Sequence, residues 1–512
     1  MHISRAALLL LLSGCTVGPN FERPSPWSPA SWFRSSGPAP DQGTQDRAAQ
    51  HSLPVAEPVD PEWWAVLGDP VLTGLMQRVA SSNLDVRAAS IRLAEARAQR
   101  GVAAAAASPQ VNGNLSYTRE RPSTNGVISL IGAGQGSPAT SSNGLGGTGG
   151  GIPSRTALGA FDLFQGGFDA AWELDLWGRV RRSVESADAQ VEAGTEARRN
   201  TLVTSLAELA RDYVQLRGLQ ETGRITHRNL AIAQENAHLT DERARGGLAT
   251  DLDVANARAQ AESTAANLPL LEQQQAQTGN AIALLLGMPP GALAADLSPP
   301  RPVPPVPPRV PTGLPSELAR RRPDIRQAEA QLHAATADIG QAEADFYPHI
   351  TLSGSIALQA VQFRDLGSWN SRTFGLGPSV SIPIFEGGRL RRTLELRKAQ
   401  QQQAALNYQR TVLQAFHEVD NALLAYRAEQ DRRDRLAAAV AQGRRALGLA
   451  QARYRQGVSD YLEVLTAQRT VLAAEQQLAD STTTVSINLV ALYKALGGGW
   501  EAAYPDAAAP RP

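Results

Sequence analysis

The chain has 512 residues, of which only 5% are aromatic, and its 49 Lys and Arg residues are balanced by 49 Asp and Glu residues. Because this balance leaves no net positive charge to attract a polyanion, we expect no nucleic acid partner. Long periodic segments rich in Ala, Gln, Leu and Arg favour long helices over several compact cores.

The N-terminus has the pattern of a bacterial lipoprotein signal. A basic residue precedes the apolar run 6–12, and small residues lead to Cys15, the only cysteine in the chain. We expect removal of residues 1–14, a diacylglycerol on the Cys15 thiol and no disulfide within one chain. An ordinary signal peptide with an incidental cysteine is the alternative. Thr rather than Asp at position 16 resembles the signature of lipoproteins that are sorted to the outer membrane.

Four segments alternate between apolar and polar residues, as β-strands with one apolar face do. They are 111–117, 168–176, 350–358 and 374–384. No run of about 18 apolar residues exists, so any membrane crossing is expected to use such strands. Four strands cannot close a barrel, and an open strand edge in lipid would leave backbone groups unpaired. Several chains are therefore expected to share one barrel; a soluble β-hairpin packed on one face is the alternative.

The segments 179–287 and 389–497 carry one pattern twice, at a constant offset of 210. Five apolar positions spaced 4, 3, 4 and 3 residues apart recur without a slip, which is typical of a heptad seam. Leu202, Leu206, Leu209, Tyr213 and Leu216 recur as Val412, Phe416, Val419, Leu423 and Tyr426. Each copy is predicted to be a long antiparallel helical hairpin. Its first helix, at about 178–245, would be on the order of 100 Å long, which suits a conduit through the periplasm.

Upstream of the hairpins the duplication continues at an offset of 239, where Leu84 and Pro109 match Pro323 and Pro348. The first copy is 29 residues longer, and the excess is the Gly- and Ser-rich segment 125–153, which we interpret as a loop. A Pro-rich connector joins the copies.

The predicted organisation is a signal peptide (1–14), a lipidated N-terminal segment (15–69), a first repeat (70–298), the Pro-rich linker (299–315), a second repeat (316–499) and a C-terminal tail (500–512).

Four segments spread over nearly the whole mature chain resemble one family: 12–24, 172–179, 314–326 and 382–389. In them the chain is similar to the TolC-like outer-membrane factors, in particular the lipidated branch that serves multidrug efflux pumps. The resemblance implies an internally duplicated α+β membrane protein. In it, three chains share a 12-stranded β-barrel that continues as a long periplasmic α-helical barrel of coiled-coil hairpins.

The same resemblance implies a function. The homotrimer would be a passive exit duct in the outer membrane, lipid-anchored and extending into the periplasm. A periplasmic adaptor (membrane fusion) protein and an inner-membrane efflux pump would deliver drugs or other small molecules to it.

The turns of the two helical hairpins are candidate docking sites. Gly247 and Gly457 share one repeat position, where a tight reversal can require positive φ. The resemblance implies that adaptor hairpins meet these tips. The expected contact residues are Arg245, Gly247, Leu248 and Thr250 in the first turn and Arg455, Gly457, Val458 and Ser459 in the second. The alternative is that the glycines serve only as helix C-caps.

Asp253 and Glu463 are acids at one repeat position just after these turns. The resemblance places both at the closed periplasmic aperture, where three chains would bring like charges together and favour cations. Tyr454 matches a tyrosine whose bonds help to hold the closed state. A capping-box role of the two acids is the alternative.

No motif indicates catalysis or a metal site. Residues 144–149 satisfy G-x-G-x-x-G, but no buried strand leads into them and no helix follows. Residues 417–421 have Asn where a zinc-protease helix needs its second His. We therefore expect no enzyme activity and no cofactor beyond the lipid on Cys15. Two other functions stay open at this point: a lipid-anchored periplasmic coiled-coil scaffold and a lipid-anchored envelope enzyme.

Overall fold

The computed structural model describes residues 16–25, 28–29, 31–32, 51–121 and 160–505. The signal peptide, Cys15 and the Gly-rich segment 125–153 lie outside the described residues. The helices and strands, in chain order, are β1 (Leu53–Val55), α1 (Pro70–Ser82), α2 (Leu84–Ala105), β2 (Gln110–Glu120), β3 (Phe161–Leu174), α3 (Arg179–Arg245), α4 (Asp251–Ala265), α5 (Asn267–Leu285), α6 (Ala294–Leu297), β4 (Arg309–Pro311), α7 (Pro315–Arg321), α8 (Pro323–Ala344), β5 (His349–Ala360), β6 (Arg372–Ser381), α9 (Arg389–Arg455) and α10 (Tyr461–Ala495).

The two copies of the repeat fold alike. The long helices α3 and α9 have 67 residues each, and both ends of α9 lie 210 positions after those of α3. The shorter helices α2 and α8 have 22 residues each, at an offset of 239. The predicted long hairpins are therefore confirmed.

The return helices of the two hairpins differ. In the second copy α10 is continuous over 35 residues, whereas the equivalent part of the first copy breaks between α4 and α5 at Ala266. Pro269 accounts for the break, because it has no N–H to donate to the carbonyl of Ala265 and its ring crowds that carbonyl. Ala479, at the equivalent position of α10, keeps its N–H.

The four predicted strands form one antiparallel sheet in the order β2-β3-β5-β6. Its register puts Phe168 of β3 beside Ile356 of β5, and Ile356 beside Phe374 of β6. Asp169 and Ser355, the next residues along, belong to the opposite face. The sheet thus has one apolar and one polar face. The apolar face is open, since Phe168, Ile356 and Phe374 are 64%, 62% and 78% exposed.

Two strands end before their predicted limits. β3 stops at Leu174 because the N–H of Leu176 turns back to the Leu174 carbonyl, at 2.8 Å. β6 stops at Ser381, shortly before Pro383, which has no N–H for a strand ladder.

The motif at 172–179 forms the junction between β3 and α3. Glu173 and Arg179 pair through two N–H···O bonds of 2.9 and 2.6 Å. The Asp175 carboxylate accepts hydrogen bonds from the first backbone N–H groups of α3, which have no partner inside the helix. Its negative charge also suits a helix N-terminus. The motif is therefore a structural joint that sets where the helix begins.

Residues 16–20 pack against this junction. The buried Arg182 side chain donates to the carbonyl oxygens of Val17 and Gly18, both at 3.2 Å, and to the Asn20 side chain at 2.8 Å. Gly18 has φ of +92°, and a Cβ there would lie 2.4 Å from the Cα of Gly340. The segment that directly follows Cys15 is therefore held beside the start of α3.

The chain divides into two compact units, and neither is a repeat. One contains the sheet and takes in Arg100–Glu185 and Ala337–Lys398; the other takes in Ser186–Thr336 and Ala399–Pro512. Each unit draws on both copies of the sequence. In the second unit, all ten residues of the predicted heptad seams are buried in one hydrophobic core.

Buried polar groups fix the Pro-rich linker in place. The guanidinium of Arg217 donates to the carbonyl oxygens of Leu297 at 3.1 Å and Pro299 at 2.9 Å, and the Ser486 hydroxyl donates to that of Pro304 at 2.9 Å. The linker includes β4, which pairs in parallel with β1. The sequence does not indicate this pair, because three-residue strands are too short to show alternation.

Candidate functional site at the hairpin turns

The two predicted docking turns have the same backbone. In the first, the N–H groups of Gly247 and Leu248 donate to carbonyls in the last turn of α3, at 2.9 and 2.8 Å. In the second, Gly457 and Val458 donate to α9 in the same way, both at 3.0 Å. The two glycines have φ of +73° and +75°. This is a Schellman ending, in which glycine avoids the strain that a Cβ would bring, so the capping role is present in both turns.

The turns also present apolar side chains to solvent. Leu248 is 71% exposed and Val458 is 65% exposed. The predicted contact side chains of Arg245, Thr250 and Arg455 are also exposed. Ser459 is the exception. Its hydroxyl is buried and has no hydrogen-bond partner within the part of the chain that the structure describes.

The two predicted aperture acids are not equivalent. Asp253 closes a capping box with Thr250: its N–H donates to the Thr250 hydroxyl at 3.2 Å, and its carboxylate accepts from the Thr250 N–H at 3.0 Å. In the second copy the cap is Asp460, which accepts from the Glu463 N–H at 3.3 Å. The Glu463 side chain is half exposed, and its carboxylate lies 4.0 Å from the Arg453 guanidinium. The capping alternative therefore describes Asp253, whereas Glu463 keeps its carboxylate available.

Tyr454 links the two copies of the repeat. Its buried ring lies under the guanidinium of Arg243, 4.5 Å from the ring centre, and Arg243 also donates to the Tyr454 carbonyl at 2.9 Å. The Tyr454 hydroxyl lies 3.5 Å from that of Thr240. On its other side the ring packs edge-on against Tyr461 at 5.7 Å, and burial raises the pKa of Tyr461 to about 12. These contacts tie the end of α3 to the end of α9.

A groove of about 570 Å³ lies between α9 and α10 next to the second turn. Small side chains, including Ala446 and Ala450, line its α9 wall, and Leu462 and Glu463 line its α10 wall. Glu463 thus borders a concave surface beside the second turn.

A buried acid that the sequence analysis did not single out joins three helices. The Glu475 side chain of α10 is 5% exposed. Its carboxylate accepts hydrogen bonds from Arg228 at 2.7 Å and Asn229 at 3.1 Å on α3, and from Arg444 at 2.7 Å on α9. Burial by itself would raise the pKa of Glu475, but these hydrogen bonds and charges lower it below its ordinary value.

The heptad spacing of α10 indicates from the sequence that Glu475 is buried. Glu475 continues a buried seam of this helix, and a charged residue in such a seam indicates a buried polar contact. The seam positions before it are Tyr461, Val464, Gln468 and Val471.

The described residues contain no cluster of His, Cys, Asp and Glu that could hold a metal ion. In the same part of the chain, no helix is both long and apolar enough to span a bilayer.

A sequence model of outer membrane efflux proteins matches residues 75–288 and 314–498. The chain belongs to the outer membrane efflux protein family. This efflux protein is 32% identical over 499 residues to outer membrane protein OprJ of Pseudomonas aeruginosa, with 98% of this chain and 96% of OprJ covered. It is 33% identical over 475 residues to the pyoverdine export outer membrane protein OpmQ of Pseudomonas putida, with 92% and 94% covered. The solved outer-membrane channel OprN has 34% identity and a TM-score of 0.82, over 95% of this chain and 100% of OprN.

These similarities confirm three predictions from the sequence. The efflux protein has the duplicated α+β channel fold, an efflux function and an outer-membrane location. The alternative of a periplasmic scaffold is therefore rejected. The family is one of transport proteins, not of enzymes.

Proposed function

We propose that three copies of this chain form the outer-membrane exit channel of a tripartite efflux pump, through which drugs or other small molecules pass without chemical change. The observation that carries this proposal is the four-stranded sheet, which has an exposed apolar face on all its strands and, within the described residues, two unpaired edges, β2 and β6. An apolar face of this extent suits lipid, and unpaired edges in lipid require further strands. Three four-stranded sheets would close the ring.

The helical hairpins supply the periplasmic part of the proposed channel. At about 1.5 Å per residue, helices of 67 residues are on the order of 100 Å long. We propose that a periplasmic adaptor docks on the two turns and that an inner-membrane pump drives substrate through it. The exposed Leu248 and Val458 support this, since solvent-exposed apolar residues on a tight turn suit contact with a partner.

We propose that the aperture lies at the same end and that Tyr454, Asp253 and Glu463 take part in it. Tyr454 would hold the closed state through its contacts with Arg243 and Thr240. Of the two acids, Glu463 would contribute most to a cation preference, because the Asp253 carboxylate is held in its capping box, whereas Glu463 is half exposed and has only a long ion pair of 4.0 Å with Arg453.

This difference between the two acids is testable. Asp253→Ala should lower the stability of the protein by about 1 kcal/mol because a capping box is lost. Glu463→Gln should change stability by less than about 0.5 kcal/mol and weaken both cation preference and block by multivalent cations. Thermal unfolding followed by circular dichroism and reversal potentials in planar bilayers measure the two effects. Unchanged ion selectivity in Glu463→Gln, with a clear loss of helix, would assign Glu463 to capping instead.

We also propose that Cys15 carries the lipid anchor and that the protein uses no other cofactor. The support from the fold is indirect: residues 16–20 are held beside the junction of sheet and helix, where a membrane surface would lie if the sheet crosses the bilayer. Cys15→Ser should abolish labelling by radioactive palmitate while the protein still folds. Persistent labelling would refute the anchor.

Native mass and conductance test the proposed function. The protein purified in detergent should have the mass of a trimer by mass photometry, and it should conduct ions in planar bilayers. Protein that stays water-soluble as Cys15→Ser, is monomeric and conducts nothing would refute the channel.

A further inference from the structure

The apolar face of the sheet carries charged residues only at the end that lies away from the helices. At that end, Arg119 of β2 faces Asp162 of β3, and Arg372 is the first residue of β6. Each lies an even number of positions from the apolar residues of its strand, so its side chain belongs to their face. The other charged residues of the four described strands, such as Asp169, belong to the polar face. Arg119, Asp162 and Arg372 are called the charged rim below.

The charged rim lies at the border of the region that lipid tails would cover. The ten residue steps from Phe164 to Leu174 of β3 extend about 33 Å, and a strand tilt of about 40° reduces this to a height of about 25 Å. That height is usual for the apolar band of a membrane β-strand. Asp162 is the next residue of this face beyond Phe164. In a sheet that crosses the bilayer, the rim therefore lies at the level of the lipid headgroups.

Aromatic rings mark the same level of the sheet. Tyr117 packs against Phe164 with ring centres 5.0 Å apart, and Phe164 packs edge-on against Phe363 at 5.5 Å. Trp369, in the connection between β5 and β6, is 77% exposed. Aromatic residues are enriched where membrane β-strands reach the headgroup region. The rings and the charged rim therefore indicate one boundary of the bilayer.

Residues 16–20 indicate which leaflet the charged rim faces. They directly follow Cys15 and lie beside the start of α3, at the opposite end of the sheet. The proposed lipid on Cys15 and the periplasmic helices put that end at the inner leaflet. The rim is then in the outer leaflet of the outer membrane. The main lipid of that leaflet is a glycolipid whose anchor, lipid A, carries acyl chains and two phosphate groups.

Both arginines of the charged rim have N–H groups available to a phosphate. The guanidinium of Arg372 lies 3.5 Å from the ring centre of Trp369, and no carboxylate among the described residues pairs with it. Contact with the ring holds the guanidinium but uses none of its N–H donors. The Arg119 side chain is 65% exposed, with a single contact of 3.3 Å to Asp162. With two arginines and one acid, the rim has one net positive charge per chain.

We propose that the charged rim binds the phosphate groups of lipid A, with Arg372 as the principal contact and Arg119 as a second contact on the other edge strand. The guanidinium of an arginine can donate two N–H groups to one phosphate. The apolar face next to the rim would contact the acyl chains. The inference rests on the proposed channel, since it requires that the sheet cross the outer membrane, and it adds the class of lipid that the outer end of the sheet recognises.

Native mass spectrometry of the purified protein in a nonionic detergent tests the inference. The protein is mixed with lipid A that carries both phosphates, with dephosphorylated lipid A or with phosphatidylglycerol. The wild type should retain several times more of the phosphorylated lipid A than of either other lipid. Arg372→Gln should reduce the retained lipid A several-fold, and the double variant with Arg119→Gln should reduce it further.

Three further variants separate the charge of the rim from effects on folding. Arg372→Lys keeps the charge and should retain more lipid A than Arg372→Gln. Asp162→Asn removes the acid beside Arg119 and should increase retention. Arg445→Gln is the matched control and should retain as much lipid A as the wild type, because Arg445 is exposed on α9 about 80 Å along the helix from its first residue. All variants should keep the native mass and the conductance of the wild type.

Four results would contradict the inference. Equal retention of lipid A by the wild type and the double variant, at normal mass and conductance, would overturn the lipid site and leave the channel standing. Equal retention of lipid A with and without its phosphates would do the same, because the acyl chains alone would then explain binding. Equal retention of phosphatidylglycerol would overturn the assignment to the glycolipid. A monomeric, non-conducting wild-type protein would overturn the proposed function together with this inference.

Discussion

Replacing Leu248 or Val458 with Trp is expected to reduce drug resistance to the level of a strain without the channel. Both side chains are exposed on Schellman turns, so a larger side chain has room in the isolated chain and should leave folding intact. It would instead collide with an adaptor docked on the turn. Minimal inhibitory concentrations of several drugs, in a deletion strain complemented with each variant, measure the effect.

The same substitution at Leu270 is the matched control for the turns. Leu270 is 52% exposed on α5, about 30 Å along the hairpin from Leu248 at 1.5 Å per residue. Leu270→Trp should preserve resistance. The amount of trimer in the outer membrane must be equal in all variants. Full resistance in Leu248→Trp and Val458→Trp at normal abundance would refute docking at the turns.

Glu475→Gln is expected to raise the conductance of the closed channel several-fold and to lower the stability of the folded protein. The wild-type carboxylate holds α10 to α3 and α9 through charge-assisted bonds, which the neutral amide would weaken or lose. Hydrogen bonds to charged groups contribute about 1.5–3 kcal/mol. Because the side chains of Arg228 and Arg444 are 40% and 57% exposed, a value near the lower end is expected. Single-channel recording and thermal unfolding measure the two effects.

The pH dependence of the wild type gives a second test of Glu475. Its pKa is lower in the folded protein than in the unfolded chain, so its contribution to stability is present at neutral pH and above the ordinary glutamate pKa. The contribution disappears as the pH falls through the lowered pKa. Conductance of the wild type should therefore rise on acidification below the ordinary glutamate pKa, and Glu475→Gln should lack this rise.

Asp480→Asn is the control for Glu475→Gln. Asp480 lies on the same helix, and burial raises its pKa, with Arg432 opposing the shift. Its replacement should leave conductance and stability nearly unchanged. Equal conductance of wild type and Glu475→Gln at neutral pH would show that Glu475 does not hold the closed state.

Much of the fold could be predicted because it depends on local patterns. A heptad seam and a period of two specify helix and strand from neighbouring residues alone. The hairpin turns were recognisable because glycine at positive φ is needed where a helix reverses. The repeat offsets then showed that both halves share these elements, and the two strand hairpins have registers that match at the same offsets.

Three features depended on the tertiary structure. The β1–β4 pair joins segments more than 250 residues apart, with too few residues to form a pattern. The two aperture acids occupy one repeat position, yet only Asp253 closes a capping box, since the preceding cap is Thr250 in one copy and Asp460 in the other. The partners of the buried Glu475 carboxylate lie on two other helices, Arg228 and Asn229 on α3 and Arg444 on α9.

The sequence by itself determined the repeated helices, the four alternating strands and the positions of the turns, because each of these arises from side-chain periodicity or from the conformational limits of a few adjacent residues. Only the tertiary structure decided which charges are buried, which acid closes a capping box and which strand edges have no partner within the described residues. Those properties depend on groups brought together from distant parts of the chain, and no local pattern records the partner that a buried carboxylate or an edge strand will meet.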